Sequence, residues 1–241
     1  MRTVVELAML SCISNQVGGG LTGKARWTGV PLSTLLGVAR PVGRPAAVRF
    51  SAADGYEDTV PFERATSPEV LVAIAMDGAL LPIEHGFPAR LLVPGLYGMK
   101  NVKWLTDITL LETDAPGYWE ERGWDTRADV RTESRFDIPH DDDEVAADVV
   151  AAGVAWARTR RISRVEVSTD DCATWSTATL EAELSPWSWR RWMAPLHLRP
   201  GPHALVVRAY DGTGVAEDSQ RRSPHPSGAS GYHRITVTVA S

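Results

Sequence analysis

The sequence predicts an α+β chain in two parts: a mixed α and β first domain over residues 1–139 and an all-β antiparallel sandwich over residues 145–241. Three observations carry this. Apolar runs bounded by turn signals alternate with a short helical pattern in the first part. A proline followed by an acidic run, "IPHDDDE" at residues 138–144, then breaks the pattern and reads as a solvated linker or domain edge. Beyond it apolar residues recur in period two between turn residues, as in a sandwich of about a hundred residues.

The elements follow in order. "TVVELAMLSC" (3–12) is apolar on both faces apart from Glu6, the pattern of a strand buried between layers. Pro31 opens a short helix with Leu32, Leu35 and Leu36 on one face, and Gly37 is its expected stop. "EVLVAIAM" (69–76), Asp77-Gly78 and a further apolar run predict a β-hairpin with a primed turn. "ARLLVPG" (89–95) is a short buried strand. In "VKWLTDITLLE", Val102, Trp104, Thr106, Ile108 and Leu110 share one face of a half-buried strand. In the second part "SRVEVSTDDCATWSTATLEAE", "HALVVRAYDGTG" and "YHRITVTVA" are the clearest sandwich strands.

Composition narrows the functional classes. With 241 residues and 44% hydrophobic content the chain has material for one large domain or two ordinary ones. A formal charge of −5 argues against non-specific binding to nucleic acid or anionic membranes. Two cysteines, Cys12 and Cys172, supply no disulfide framework. Cys172 follows an Asp-Asp turn and is expected to be inert. No apolar run reaches the roughly 20 residues of a membrane span and no signal-peptide core precedes the first strand, so the sequence as it stands predicts a soluble chain of unassigned compartment.

Cys12 closes the first strand and leads into a glycine-rich loop, Gly18–Gly20, and then Arg26-Trp27. The plainest role for such a thiol is that of a small buried hydrophobe. A nucleophile would need a nearby base, and zinc would need further thiol or imidazole ligands at short spacing. Neither accompanies Cys12. A single thiolate suits a soft, high-valent metal whose other ligands come from outside the protein, which points to a metal carried by an organic cofactor. The glycines lack phosphate-loop or dinucleotide-binding spacing and read as a flexible turn.

Four segments in order, "CISNQVGGGLTGKARWTGVPLSTLL" (12–36), "DGYEDTVPFERA" (54–65), "GALLPIEHGFPARLLVPGLYGMKNVKWLTDITLLE" (78–112) and "YWEERGW" (118–124), resemble the sulfite oxidase family of molybdopterin-dependent oxidoreductases. The second part, with "WSWRRW" (187–192) and "GASGYHRITVTV" (228–239), is similar to that family's Ig-like dimerisation domain. The resemblance implies a sulfite-oxidase-type molybdopterin-binding domain, a molybdenum–molybdopterin cofactor (Moco) with Cys12 as the one protein ligand to the metal, and pterin or phosphate contacts from Asp54, His85, Arg90, Asn101, Val102 and Lys103. Arg26 is a further candidate contact. It also implies a homodimer through the second domain and oxygen-atom transfer on a small substrate, with electrons exchanged with an external cytochrome or quinone-linked protein.

This sequence departs from the sulfite-oxidising pattern at the pocket. Gln16 and Val17 stand where a basic pair is expected, Trp124 stands at a catalytic tyrosine position, and a pocket arginine of the second domain falls near His225. A small dianion needs fixed positive charge, so sulfite is a doubtful substrate. Only eleven residues precede Cys12, fewer than the family's pattern, which predicts a missing amino-terminal segment. The rival reading is a cofactor-free remnant acting as a dimerisation or binding module. A cysteine-dependent hydrolase is disfavoured because no base is placed.

Overall fold

The computed structural model describes residues 1–39, 43 and 45–240, which form two compact units. The first comprises Met1–Ile13, Thr22–Asp129 and His225–Ser227; the second comprises Ser14–Leu21, Val130–Pro224 and Gly228–Ser241. Among the described residues no helix is long and apolar enough to cross a membrane.

In chain order the first unit contains β1 (Val4–Ser11), β2 (Thr22–Pro31), α1 (Leu32–Ala39), β3 (Ala47–Ala52), β4 (Glu57–Pro61), α2 (Phe62–Ala65), β5 (Leu71–Met76), β6 (Ala79–Leu80), β7 (Arg90–Leu92) and β8 (Leu105–Leu111). One antiparallel sheet runs β1-β2-β5-β6 with β7 also on β5, and a second runs β4-β3-β8. Leu32 and Leu36 of α1 pack with Val48, Phe50, Val60, Leu91 and Val102 in its core. Each such side chain, fully buried, contributes about 1.5–3 kcal/mol. Helix is a smaller share than the sequence predicts: α1 has eight residues and α2 four.

The Asp77-Gly78 hairpin is as expected, with positive φ at both turn residues and Met76 opposite Ala79. β7 is buried throughout. Three expectations are corrected. β1 is an edge strand, not a strand covered on both faces, and Val5 is 62% exposed. α1 runs through Gly37 to Ala39, because Gly37 sits on the exposed side and needs no side chain there. The pairing of β8 with β3 shifts between Ser51 and Ala52: Ile108 and Leu110 face inward as expected, but Leu105 joins them while Thr106 is exposed and Trp104, at φ 52°, lies outside the strand.

The second unit is a sandwich of β9 (Glu133–Ile138), β10 (Asp143–Val145), β11 (Asp148–Trp156), β12 (Ile162–Ser168), β13 (Ser176–Thr177), β14 (Thr179–Leu180), β15 (Arg190–His197), β16 (Gly201–Asp211) and β17 (His233–Val239). Its sheets run β14-β15-β11-β9 and β10-β17-β16-β12-β13. Both contribute to one core, in which Trp192 meets Phe136 edge-on at 5.4 Å between ring centroids. The acidic run joins β9 to β10, and its last residues, Asp143 and Glu144, belong to β10 itself, inside this unit.

Candidate active site

The last residue of β1 is the buried Ser11, and Cys12 follows with its side chain exposed and in no disulfide. The sequence expectation of a buried thiol therefore fails. Chain direction at the strand end turns Cys12 outward between the buried neighbours Ser11 and Ile13. Two buried polar atoms lie close to it along the chain, Ser11 Oγ and Asn15 Nδ2, and neither has a hydrogen-bond partner among the described residues. Orphaned buried polar atoms are uncommon and call for a reason.

A cradle forms around Arg90. Arg90 is 4% exposed, and its guanidinium donates from Nη1 to the His85 carbonyl (3.0 Å) and from Nη2 to the Asn101 carbonyl (3.1 Å), with the Trp27 ring 5.0 Å below. Burial alone holds its pKa down at about 10, without an opposing carboxylate. A buried cation of this kind complements an anion. Gly86 permits the close approach: at φ 107°, a Cβ there would lie 3.0 Å from Lys103 Cβ and 3.1 Å from Arg90 Cβ. Lys103 extends over the Trp104 ring (4.1 Å) and donates to the Glu84 carbonyl (3.0 Å). The Val102 carbonyl accepts from Leu91 N–H. His85 is exposed at the end of a short turn, Ile83–His85.

Asn101 is buried, and its amide braces the loop ahead of it: Oδ1 accepts from Val93 N–H (2.7 Å) and Nδ2 donates to the carbonyls of Leu96 (3.3 Å) and Tyr97 (3.0 Å). Asp54 is exposed and accepts from Tyr56 N–H (3.1 Å), while Ala53 N–H donates to the Trp104 carbonyl (3.0 Å). The structure thus brings Asp54, His85, Arg90, Asn101, Val102 and Lys103 to neighbouring turns of the first unit. Arg26 is exposed and its backbone N–H caps Asp77 (2.8 Å); Trp27 is the member of that pair that reaches the cradle. Trp124 is half-buried and meets His225 edge-on at 5.1 Å, both in the first unit. Cys172, at φ 71°, donates its N–H to Ser168 Oγ (2.9 Å).

Sequence reasoning missed a buried ion cluster beside this cradle. Lys100, 2% exposed, donates from Nζ to Asp58 Oδ1 (2.8 Å), to the Thr59 carbonyl (2.9 Å) and to Glu120. The Tyr56 hydroxyl lies against Asp58 Oδ2 (2.9 Å) and the Met99 carbonyl (2.8 Å). Burial raises the Asp58 pKa, and Lys100 and Tyr56 oppose the rise. A lysine that directly follows the mostly apolar stretch Leu91–Met99 was the available signal.

An enclosed cation, an exposed thiol and a braced loop suit a domain that holds an anionic cofactor. The chain's likeness to known proteins agrees. Residues 1–119 match the oxidoreductase molybdopterin binding domain and residues 128–239 the Mo-co oxidoreductase dimerisation domain. Mitochondrial sulfite oxidase of Macaca fascicularis is 31% identical over 92% of this chain and 48% of its own length. NADH nitrate reductase of Volvox carteri is 28% identical over 80% of this chain and 28% of its own. The sulfane dehydrogenase SoxCD of Paracoccus pantotrophus shares the fold, with a TM-score of 0.83 and 22% identity over 98% of this chain and 72% of that one. The chain belongs to the sulfite oxidase family of molybdopterin-dependent oxidoreductases, and spans about half the length of the sulfite oxidase it matches.

Proposed function

We propose that this chain is the catalytic part of a molybdopterin-dependent oxidoreductase that transfers an oxygen atom to or from a small substrate. The observation that carries this reading is the exposed Cys12 at the end of β1, inside the matched domain, with the unpartnered polar atoms of Ser11 and Asn15 close by in sequence. When bound, the molybdopterin supplies a metal centre able to take up or give an oxygen atom in a two-electron change.

The residues of this chain do the rest. Cys12 would donate its thiolate to the metal. Arg90 and Lys103 would neutralise the cofactor's phosphate, Arg90 as a fixed, already desolvated fork and Lys103 as a mobile point charge. His85 and Asp54, both exposed, would hydrogen-bond the pterin, and the backbone of Asn101 and Val102 would shape the loop against it. Trp124 would form a wall of the substrate pocket with His225. The exposed apolar residues Ile138, Val150 and Met193, on the β9-β11-β15 sheet, give a second copy a face to pack on, in keeping with the matched dimerisation domain. Electrons would pass to an external carrier, a cytochrome or a quinone-linked protein.

Metal analysis of protein made in cells that synthesise the cofactor tests the reading. Close to one molybdenum per chain is expected, and Cys12→Ser is expected to lose most of the metal or the activity. Equal metal content and turnover in the variant would remove Cys12 as the ligand. Metal-free wild-type protein would favour the cofactor-free remnant.

A further inference from the structure

The loop that follows Cys12 belongs to the second unit, and the residue that holds it there is His233, the first residue of β17. Gly18, at φ 76°, lies directly on the imidazole: a Cβ at this position would come within 2.2 Å of Nε2 and 2.3 Å of Cδ2. Only glycine satisfies both the left-handed backbone and the contact. The ring is itself held. Phe136 N–H donates to Nδ1 (3.0 Å), which leaves the proton of the neutral ring on Nε2, the end that meets Gly18. The next carbonyl, of Gly19, accepts from Arg135 Nη1 (2.7 Å), so β9 and β17 grip adjacent loop residues. Within the loop, Gly19 N–H donates to the Gln16 carbonyl (2.8 Å) and Leu21 N–H to Asn15 Oδ1 (2.9 Å). Burial and Arg135 favour the neutral imidazole; Arg221 adds to this, while Asp137 and Asp141 oppose it.

We propose that His233 is a positioning residue for the 14–21 loop, and through the Gly18 contact fixes Gln16 and Val17, the side chains at the positions where the family's sulfite-oxidising members carry basic residues. The proposal rests on the reading of Cys12 as the cofactor ligand only for its catalytic consequence. The mechanical part, that the ring orders the loop, stands on the geometry alone.

His233→Asn separates these roles, because the asparagine Oδ1 can replace Nδ1 as acceptor for Phe136 N–H while the space beneath Gly18 is vacated. Hydrogen exchange of the whole chain, with and without molybdopterin, is the direct readout. Gly19 and Leu21 amides should exchange about tenfold faster in the variant, with β16 and β17 amides unchanged. In the loaded enzyme KM should rise severalfold with kcat largely kept, on the reading of the sequence that gives Gln16 and Val17 substrate-binding positions. Should His233→Asn unfold the sandwich, Gly18→Ala probes the same contact from the loop side and should likewise speed exchange at residues 14–21 alone. Unchanged loop exchange in the folded variant overturns the proposal. Wild-type protein that takes up no molybdopterin overturns the proposed function instead, since the exchange result does not need the cofactor.

Discussion

Lys100→Met is the sharpest perturbation of the first unit. It keeps the volume of the side chain and removes a charge that three acceptors share: Asp58 and Glu120, both nearly sealed from solvent, and the Thr59 carbonyl. Two carboxylates are then left without their cation. Removing one partner of a buried ion pair costs about 3–5 kcal/mol, because the remaining charge stays buried. At about 2–4 °C per kcal/mol for a protein of this size, the midpoint of thermal unfolding should fall by roughly 6–20 °C. The loss should depend on pH in a definite direction. Burial already raises the Asp58 pKa above its ordinary 3.8, and Lys100 is the strongest opposing influence, so the variant raises it further. A carboxyl whose folded pKa is raised binds more protons folded than unfolded, so stability falls as pH rises from the unfolded value through the folded one. The variant's deficit should therefore be larger at about pH 8 than at about pH 5. Adding Asp58→Asn and Glu120→Gln should recover most of it, since no buried charge is left uncompensated. Denaturant titrations of the three proteins at both pH values are the assay. A deficit below about 1 kcal/mol at the higher pH, or one that does not change with pH, would refute the assignment of Lys100 as the cation of a buried ionised cluster.

The cradle and the substrate pocket give two further tests. Arg90→Ala and Lys103→Ala should each lower the molybdopterin extracted from purified protein, each losing a charge-assisted contact worth about 1.5–3 kcal/mol, and unchanged content in both would contradict their assignment to the phosphate. With Gln16, Val17 and Trp124 at positions where the sequence pattern of sulfite-oxidising members has basic and phenolic groups, sulfite oxidation should be poor beside sulfoxide reduction, measured with an artificial electron mediator on the loaded full-length protein; efficient sulfite turnover at a micromolar KM would show that the positive charge comes from elsewhere.

The parts of the fold set by local chemistry were legible in the sequence. Asp77-Gly78 dictates a turn whose two residues take positive φ, and the short apolar run Leu91–Val93 ahead of Pro94 reads as a covered strand. What failed depended on neighbours. An apolar run does not say whether it lies at the centre or the edge of a sheet, so the exposure of Val5 was invisible, and a bulge between Ser51 and Ala52 of the paired strand put Leu105 inward in place of Thr106 and Trp104, while Ile108 and Leu110 kept the expected face. The same division holds at the site. The strip Asn101–Lys103 and His85–Arg90 were singled out by the resemblance to the family's motifs, and the fold brings them to neighbouring turns. Lys100 was not, because a charged side chain is by default solvated and its buried partners Glu120 and Asp58 lie 20 and 42 residues away. Nor could spacing reveal that Gly18 rests on His233, a contact between opposite ends of the chain.

The cradle divides its work by burial, and the division explains why its residues are so different in type. Arg90 and Asn101 are almost wholly enclosed and direct their polar atoms at the backbone of residues 85, 91, 93, 96, 97 and 101, so they fix the shape of two loops. His85 is exposed on a turn so shaped, Lys103 is half-exposed close to it, and Cys12 and Asp54 are exposed at the end of β1 and in the β3–β4 turn. A side chain that already satisfies several buried carbonyls cannot swing to meet a ligand without leaving them orphaned. On the proposed reading, preorganisation therefore sits in the buried members and contact with the cofactor in the exposed ones. Arg90 belongs to both sets, because a planar guanidinium has five N–H donors and two carbonyls at hydrogen-bond distance from its Nη atoms leave some of them for an anion. Lysine at that position could hold the charge or the carbonyls, with three donors on one atom, but not both loops in a fixed plane.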